Sequence, residues 1–504
     1  MKNKILLISF AFFNLVNSSI ITEIEQDYQQ AAYLLQQKIE EKNISPEDIR
    51  RIFFEIQKEQ SLYHYKSISN LKKTIHEILL AIDPIIASDI SIIMNKLQHL
   101  LSELKIYYHD LQHSLEVALA TAQILTTNFE NKLNSDPKSI LLAVTAALFH
   151  DIGYSNQKEI LDFLKSLNPT HYTPLFLQSK NEKFIEKFNQ VLKRVRENEP
   201  LTGAEFHLYH VYLGQISIEH ILSSLKKDLY YGHFLLHPDS LEKIKAMISL
   251  TDIKPDLNNY REGRQLFLKN EGLFLHGEAL RTSDLVSQLS TCSRQGKVLS
   301  LYHELFLGED SPFWIGGLSF LATGVDFYEN FAKKQFSSHA LSLLNQFLKS
   351  HTLTQKLLFL NLFQSKLFQI PYKKLLSGEP ITEVDLAILE GLHDNELEIE
   401  VLHLFQAVKY VREKTPIPSE IYSSLKAVLE KKNSVLEVAI GDDVRITLIQ
   451  DALIKKNINL ALDLFQKEEF RKIDSLFARE KDHQTIEATI QTLKEKSNSS
   501  VLQP

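Results

Sequence analysis

Apolar residues recur along most of this chain at spacings of three and four, which is the period of an amphipathic helix. No stretch alternates valine or isoleucine with polar residues between turn signals, so little sheet is expected. No glycine precedes Gly153 and only three follow Gly324, and glycine-poor periodic stretches favour helix. Pro46 and Pro84 are expected to separate helices in the N-terminal part. The pattern therefore predicts an all-α fold.

The distribution of polar residues divides the chain into regions. Residues 20–95 are predicted to form an N-terminal helical region, and residues 335–490 a C-terminal one. Between them, residues 96–330 contain most of the glycines and turn signals. Within this central region, residues 155–200 are polar and rich in lysine, and we interpret them as an insertion or a lid. Residues 491–504 are predicted to be a disordered tail.

The first residues have the layout of a secretory signal peptide. Lys2 and Lys4 precede an apolar run from Ile5 to Phe13, and small polar residues follow. We expect residues 1–19 to be this signal and the protein to be exported to the periplasm or secreted. The alternative is a hydrophobic first helix packed on the body of a cytoplasmic protein. No other run approaches transmembrane length, so the mature chain is not expected to span a membrane.

Composition and net charge exclude some classes of function and some kinds of metal site for this protein. The chain has 504 residues, of which 44% are hydrophobic and 24% are charged, as in ordinary globular proteins. Its net charge of −7 argues against general nucleic-acid binding, because there is no basic surplus to neutralise phosphates. Cys292 is the only cysteine, which excludes intrachain disulfides and four-ligand thiolate zinc sites. Any metal ion must therefore be held by histidines and carboxylates.

The first group of candidate residues lies in the segment YYHDLQHS. His109 and His113 follow the helical spacing of Val117, Ala120 and Ile124, so we expect all of them on one helical face. The rest of that face is apolar or small, which places both histidines toward the core. A buried imidazole needs a hydrogen-bond partner or a metal ion to offset its desolvation.

The second group ends the apolar run SILLAVTAALFHDIGY. Almost every residue from Ile140 to Phe149 is apolar, as in a helix that is buried on all sides. His150 and Asp151 follow at its C-terminal end, and Gly153 suits a left-handed residue that stops a helix. A buried carboxylate is costly without a cation, and a divalent metal ion would remove that cost.

Three segments of the central region together resemble the motifs of a known family: they read YHDLQHSLEVAL, AALFHDIGY and RTSDLVSQL. The family is the HD superfamily of metal-dependent phosphohydrolases, and the first motif is similar to that of class I cyclic-nucleotide phosphodiesterases. The resemblance covers residues 96–330. It implies an HD-domain helical bundle there, flanked by the N- and C-terminal helical regions.

The resemblance also implies roles for individual residues. His113, His150, Asp151 and Asp284 match the ligands of one metal ion, and His109 matches the general acid. Each residue has an ordinary alternative role. His113 could be a satisfied core histidine, Asp284 a helix cap or an exposed acid, and His109 a group that orients a ligand.

A second ion is implied by the segment AEFHLYHVYLG. His207 and His210 occupy the interval where many HD enzymes place ligands for it, and His210 fits better, although such a pair also arises on ordinary amphipathic helices. The family usually continues its HD motif with a further histidine where this chain has Tyr154. The expected cofactor is one or two divalent ions of zinc, iron, manganese or magnesium.

These residues favour a hydrolase that acts on a cyclic nucleotide or a similar small phosphodiester. In this hypothesis the metal activates water and His109 protonates the leaving oxygen. One alternative is an HD phosphomonoesterase that acts on a nucleotide. A third hypothesis is a helical interaction protein with a residual HD site, in which the C-terminal helices bind a protein partner.

Overall fold

The computed structural model describes most of the chain beyond the first 19 residues. It covers residues 20–61, 67–101, 108–127, 136–154, 158–166, 182–197, 199, 203–251, 271–290, 294–306, 316–323, 328–329, 338–393, 397–466 and 488. In these ranges the regular structure is helical and there is no strand, so the prediction of an all-α fold is confirmed. The predicted signal peptide and C-terminal tail lie outside the described residues.

The helices are numbered in chain order. Those of the N-terminal region are α1 (Ile20–Glu40), α2 (Pro46–Ser61), α3 (Ile68–Leu80) and α4 (Pro84–Leu101). The central region contains α5 (Leu111–Thr127), α6 (Pro137–Phe149), a 3₁₀ turn (Ile152–Tyr154), α7 (Lys158–Ser166), α8 (Glu182–Arg196), α9 (Gly203–Leu225), α10 (Gly232–Leu235), α11 (Pro238–Ser249), α12 (Glu271–Ser290), α13 (Arg294–Phe306) and α14 (Gly316–Ala322). The C-terminal region contains α15 (Ser338–Ser350), α16 (Thr352–Ser377), α17 (Glu383–His393), α18 (Ile399–Arg412), α19 (Ser419–Glu430), α20 (Val435–Ile454) and α21 (Ile458–Gln466).

Prolines mark where several helices begin. Pro46 and Pro84 are the first residues of α2 and α4, as the sequence predicts. Proline is favoured there because its missing N–H would have no partner in the first turn and its φ already suits a helix. The start of α6 combines Pro137 with the side chain of Asp136, which accepts a hydrogen bond from the backbone N–H of Ser139.

Helix α6 is the central element of the fold. Every side chain from Ile140 to Phe149 is buried, which confirms the prediction of a helix surrounded on all sides. Helices α4, α5, α11 and α12 pack around it. The end of α6 therefore delivers His150 and Asp151 into the interior of the protein rather than to its surface.

The polar segment predicted as an insertion contains α7 and α8. Their apolar side chains, including Ile160, Leu164 and Phe188, are buried in the same core that surrounds α6. Phe188 contacts Tyr209 and Tyr212 of α9. Residues 167–181, between α7 and α8, lie outside the described ranges. The two helices thus form part of the packed body beside α9.

The N-terminal and C-terminal regions join the central region through one continuous apolar core. Helix α1 packs on α16, and α2 packs on α17. Buried polar contacts add to this packing, because the Tyr328 hydroxyl donates to Glu25 at 2.8 Å and Tyr28 donates to Glu329 at 2.5 Å. Among the helices that the structure describes, none is both long and apolar enough to cross a bilayer.

Candidate metal centre

His113, His150 and Asp151 form a buried group that can hold a metal ion. Their relative exposures are 3%, 1% and 5%, and their candidate ligand atoms all lie within 4.8 Å of one another. His113 comes from α5, whereas His150 and Asp151 follow directly from α6. Two helices packed side by side in the core thus bring together residues that the sequence separates.

Asp284 of α12 completes the group. Its Oδ1 lies 3.3 Å from His113 Nε2 and 3.8 Å from His150 Nε2. Asp151 Oδ2 lies 3.4 Å from His113 Nε2 and 3.0 Å from His150 Nε2. Ligand atoms that share one ion at about 2.1 Å are themselves about 3 to 3.5 Å apart. Three of these four distances have that spacing and the fourth, 3.8 Å between His150 and Asp284, is slightly longer, so the four residues predicted for this site lie close enough together to bind one ion.

Three of these atoms have no other partner. His113 Nε2, His150 Nε2 and Asp151 Oδ2 are buried and take part in no hydrogen bond within the described part of the chain. Buried polar atoms are nearly always satisfied, because losing water without a replacement costs free energy. A cation placed among these atoms would satisfy all three, which is the strongest physical argument for a metal ion at this position.

The orientation of His150 is fixed by the backbone. Its Nδ1 lies 2.7 Å from the carbonyl oxygen of Ala147, one turn earlier in α6. Because a carbonyl oxygen only accepts, Nδ1 carries the hydrogen of the neutral ring. The lone pair then lies on Nε2, which faces Asp151 and Asp284. The helix end thus presents His150 in the tautomer that a metal ion requires.

Without a bound cation, protons compensate the charge of the cluster. Burial lowers the pKa of the His113 imidazole, but the nearby carboxylates of Asp151 and Asp284 outweigh it and raise that pKa to about 10. Burial also lowers the pKa of His150, but the same carboxylates outweigh this effect and raise that pKa. Conversely, burial favours protonated Asp151, but the surrounding histidines hold the pKa of its carboxyl well below the usual range. Protons and a metal ion therefore compete for the same atoms.

His109 lies beside the cluster but not on the helix of His113. The side chain of Asp110 accepts a hydrogen bond from the His113 N–H at 2.8 Å, and helix α5 begins only at Leu111. The expectation that His109 and His113 share one helical face is therefore wrong, because Asp110 caps the helix between them. His109 is buried, with 6% exposure, and its ring centroid is 6.0 Å from that of His113.

Glu304 of α13 holds the backbone and the side chain of this segment. Its Oε2 lies 2.7 Å from His109 Nδ1, and its Oε1 accepts the Tyr108 N–H at 2.5 Å. A carboxylate that accepts a hydrogen bond from one ring nitrogen fixes the orientation of the imidazole and directs the other nitrogen, Nε2, away from it. Sequence reasoning missed Glu304, because it stands 195 residues from His109 in a segment without a recognisable motif.

Tyr154 stacks on two of the predicted site histidines, His109 and His210, whose own ring centroids are 6.2 Å apart. Its ring stacks on His109 at a centroid distance of 4.0 Å and on His210 at 4.4 Å, with interplanar angles of 12° and 19°. His210 Nε2 in turn lies 3.6 Å from Asp151 Oδ1, whereas the contact of this carboxylate with His113 is made by Oδ2. His210 is thus next to the cluster. His207 also belongs to α9, but its side chain lies outside the described residues.

Gly153 is required for close packing. The expected left-handed conformation is wrong, because Gly153 lies in the 3₁₀ turn Ile152–Tyr154 and its φ is not positive. A Cβ atom there would lie 1.8 Å from the carbonyl oxygen of His210 and 2.8 Å from the backbone nitrogen of Gly214. Two glycines therefore let the turn after Asp151 touch the backbone of α9, and this contact brings His210 to the site.

The chain has no match among protein-family models, curated proteins or solved structures. The structure does remove one ordinary alternative for Asp284. This residue lies inside α12 with 5% exposure, so it is neither a helix cap nor a surface acid. The described geometry yields a buried site of two histidines and two aspartates, with a histidine–glutamate pair at its edge.

Proposed function

We propose that this chain is a metal-dependent phosphodiester hydrolase of the HD type, acting on a cyclic nucleotide or a similar small phosphodiester. The observation that carries the proposal is the meeting of two arrangements at one place. One is the buried cluster of His113, His150, Asp151 and Asp284. The other is the His109–Glu304 pair at its edge, in which the carboxylate accepts a hydrogen bond at Nδ1 and leaves Nε2 for proton transfer.

The donor set suits a divalent cation. His113, His150, Asp151 and Asp284 would hold the ion through two imidazole nitrogens and two carboxylate oxygens, which suits zinc, iron, manganese or magnesium. When bound, such an ion supplies positive charge against the phosphate oxygens and makes the attacking water more acidic. The two carboxylates reduce the net charge of the loaded site, and their burial keeps competing bulk water away.

His109 supplies the second requirement of diester hydrolysis, which is protonation of a basic leaving oxygen. Glu304 accepts at Nδ1, so Nε2 is the nitrogen that can donate to substrate. As water oxygen bonds to phosphorus, the bond to the ester oxygen breaks with its electron pair, and the His109 proton completes the alcohol. The proton released by water restores His109. Such general acids contribute typically about 10²–10⁴-fold in rate.

The test is a substrate screen of the purified full-length chain. The protein is first exhaustively chelated and then supplemented with zinc, iron, manganese or magnesium. Cyclic mononucleotides, cyclic dinucleotides and nucleotide monoesters are assayed by chromatographic detection of products. We expect metal-dependent hydrolysis of at least one diester class and its loss in Asp151→Asn. Hydrolysis of monoesters alone would instead support a phosphomonoesterase.

Two results would contradict the proposal. Undiminished diester hydrolysis in the chelated protein would remove the metal from the mechanism. Absence of hydrolysis on every class, in protein that retains its metal and its helical circular-dichroism spectrum, would favour an interaction protein with a residual site. The buried polar atoms of the cluster argue against that interpretation, because without a ligand three of them would lose water with no replacement.

A further inference from the structure

Helix α13 holds the segment of the proposed proton donor at two points. Near the start of this helix, Lys297 Nζ lies 3.3 Å from Oδ1 of Asp110, the residue that caps α5. In its last turn, Glu304 accepts the Tyr108 N–H and holds the ring of His109. Lys297 and Glu304 are about two turns apart, so they lie on one face of α13. A shift of α13 would therefore move the groups that hold His109.

His303, the neighbour of Glu304, connects the same turn to the C-terminal region. Its side chain is buried, and its Nε2 lies 3.0 Å from the carbonyl oxygen of Asn433. Because a carbonyl oxygen only accepts, Nε2 carries the hydrogen and donates it. The last turn of α13 is thus held on two sides, by Glu304 on His109 and by His303 on the turn that precedes α20.

The start of α20 fixes the acceptor of this bond. Asn433 has a φ of 57°, in the left-handed region, and its N–H donates to Glu437 Oε2 at 3.0 Å. The Ser434 hydroxyl accepts the Glu437 N–H at 3.2 Å, as the cap of the helix. These two bonds hold the backbone to which the carbonyl of Asn433 belongs. His303 therefore donates to an atom whose position is set by α20.

The end of a helix depends on such contacts. Its last carbonyl groups have no partner within the helix, and helix ends fray. His303 and Glu304 belong to the last four residues of α13, which ends at Phe306. A hydrogen bond weakens steeply as its geometry departs from the ideal. Movement of this turn would therefore loosen the contact between Glu304 and His109 Nδ1.

We infer that His303 is a positioning residue for the proposed reaction: it anchors the last turn of α13 to the C-terminal region and so keeps Glu304 against His109. The inference rests on the proposed function, in which His109 protonates the leaving oxygen. It also gives the C-terminal helices a part in the catalytic unit, because the turn before α20 supplies the anchor.

The first test compares two substitutions at position 303. His303→Phe keeps a ring but cannot donate, whereas His303→Gln keeps an N–H donor. His303→Phe should lower kcat on a diester with an alkoxide leaving group about tenfold or more, since a misplacement of about 1 Å can cost about 10²-fold. A nitrophenyl diester should lose much less, and His303→Gln should recover most of the loss. Equal losses on the two diesters in His303→Phe would overturn the inference, because a smaller folded fraction lowers both rates alike.

Two variants at position 433 test the anchor from its other side and decide if His303→Phe does not fold. Asn433 is exposed, and its left-handed conformation suits glycine but strains a β-branched residue. Asn433→Val should displace the carbonyl that His303 binds and cause the same selective loss on the alkoxide diester. Asn433→Gly should stay close to wild type. A loss in Asn433→Val that is equal on both diesters would overturn the inference.

Nuclear magnetic resonance gives a reading that needs neither substrate nor metal. In protein labelled with ¹⁵N-histidine, the Nδ1–H of His109 should give a low-field proton signal, identified by its absence from His109→Asn. This signal should shift and exchange faster with water in His303→Phe, but not in His303→Gln. An unchanged signal in His303→Phe would overturn the inference and leave the hydrolase intact. A changed signal in a protein whose wild type hydrolyses no diester would support the anchor and contradict the proposed function alone.

Discussion

His109 Nδ1 lies 2.7 Å from Glu304 Oε2, although the two residues are 195 positions apart in sequence. The same carboxylate accepts the Tyr108 N–H, so one side chain of α13 fixes both the ring and the backbone of this segment. In the proposed reaction Glu304 is a positioning residue: it accepts a hydrogen bond at Nδ1 and thereby orients the imidazole.

Glu304→Gln should weaken proton donation without removing metal. The amide retains the size of the side chain, but one of the two carboxylate oxygens becomes an NH₂ group that cannot accept a hydrogen bond, so the ring is held less firmly. We expect kcat on a diester with an alkoxide leaving group to fall about 10- to 100-fold, whereas a nitrophenyl diester, which hardly needs protonation, should lose much less. Glu219→Gln, at a carboxylate that pairs with Lys245 near the surface, is the control and should change neither property. Equal losses of kcat on the two diesters in Glu304→Gln would contradict this role.

His109→Asn should separate proton donation from metal binding. Since the ring lies beside the cluster, the variant should retain its metal but lose about 10²-fold or more on a diester with a basic alkoxide leaving group. A nitrophenyl diester hardly needs protonation, so its loss should be much smaller. The measurement is the ratio of the two losses at matched metal occupancy. Equal losses would mean that His109 is not the general acid, and loss of metal would make it a ligand.

His150→Gln should lose the metal ion. The substitution removes the Nε2 that lies between Asp151 and Asp284 and leaves two buried carboxylates without a full set of partners. His276→Gln is a matched control, because His276 is also buried, with 7% exposure, and lies on α12 two turns before Asp284. Plasma mass spectrometry should find at least a tenfold weaker retention of metal in His150→Gln alone. Equal retention in both variants would place the ion elsewhere.

Metal affinity should rise with pH. The carboxylates raise the pKa of His113 to about 10 in the metal-free protein despite its burial, so at neutral pH an ion must displace a proton from its Nε2. For each proton displaced, the apparent affinity should increase up to about tenfold per pH unit, and this trend should level off near pH 10. Calorimetric titrations in two buffers with different ionisation enthalpies would measure the protons released. A pH-independent affinity without proton release would contradict this charge state.

Gly153→Ala should disturb the junction between the 3₁₀ turn and α9. The new Cβ would lie 1.8 Å from the main-chain oxygen of His210, so the backbone must shift, at a cost of about 1–3 kcal/mol. Gly441→Ala in α20 is the control, because its Cβ would meet only ordinary contacts, from 3.5 Å outward, and alanine favours helix. Urea unfolding would compare the two variants. Equal stability of Gly153→Ala and wild type would contradict the close contact.

The local sequence was enough to predict much of the fold. Apolar spacing indicated the helices, prolines marked the beginnings of α2 and α4, and the continuous apolar run predicted that α6 is buried. These features depend on interactions between residues near in sequence, and hydrophobic periodicity records them directly. The motifs also identified His113, His150, Asp151 and Asp284, which the structure brings together.

Only the tertiary structure decided how the edge of the site is built. Three features arise where elements distant in sequence touch. They are the pairing of Glu304 with His109, the stacking of Tyr154 on His109, and the close backbone contact that requires a glycine at position 153. Periodicity reports which face of a helix is buried, but it does not report which other helix covers that face or how closely the backbones approach. The sequence by itself therefore determined the helices and the candidate donor residues, whereas the packing of α9 against the turn that follows α6, and the contact of α13 with the segment before α5, decided the arrangement around the site.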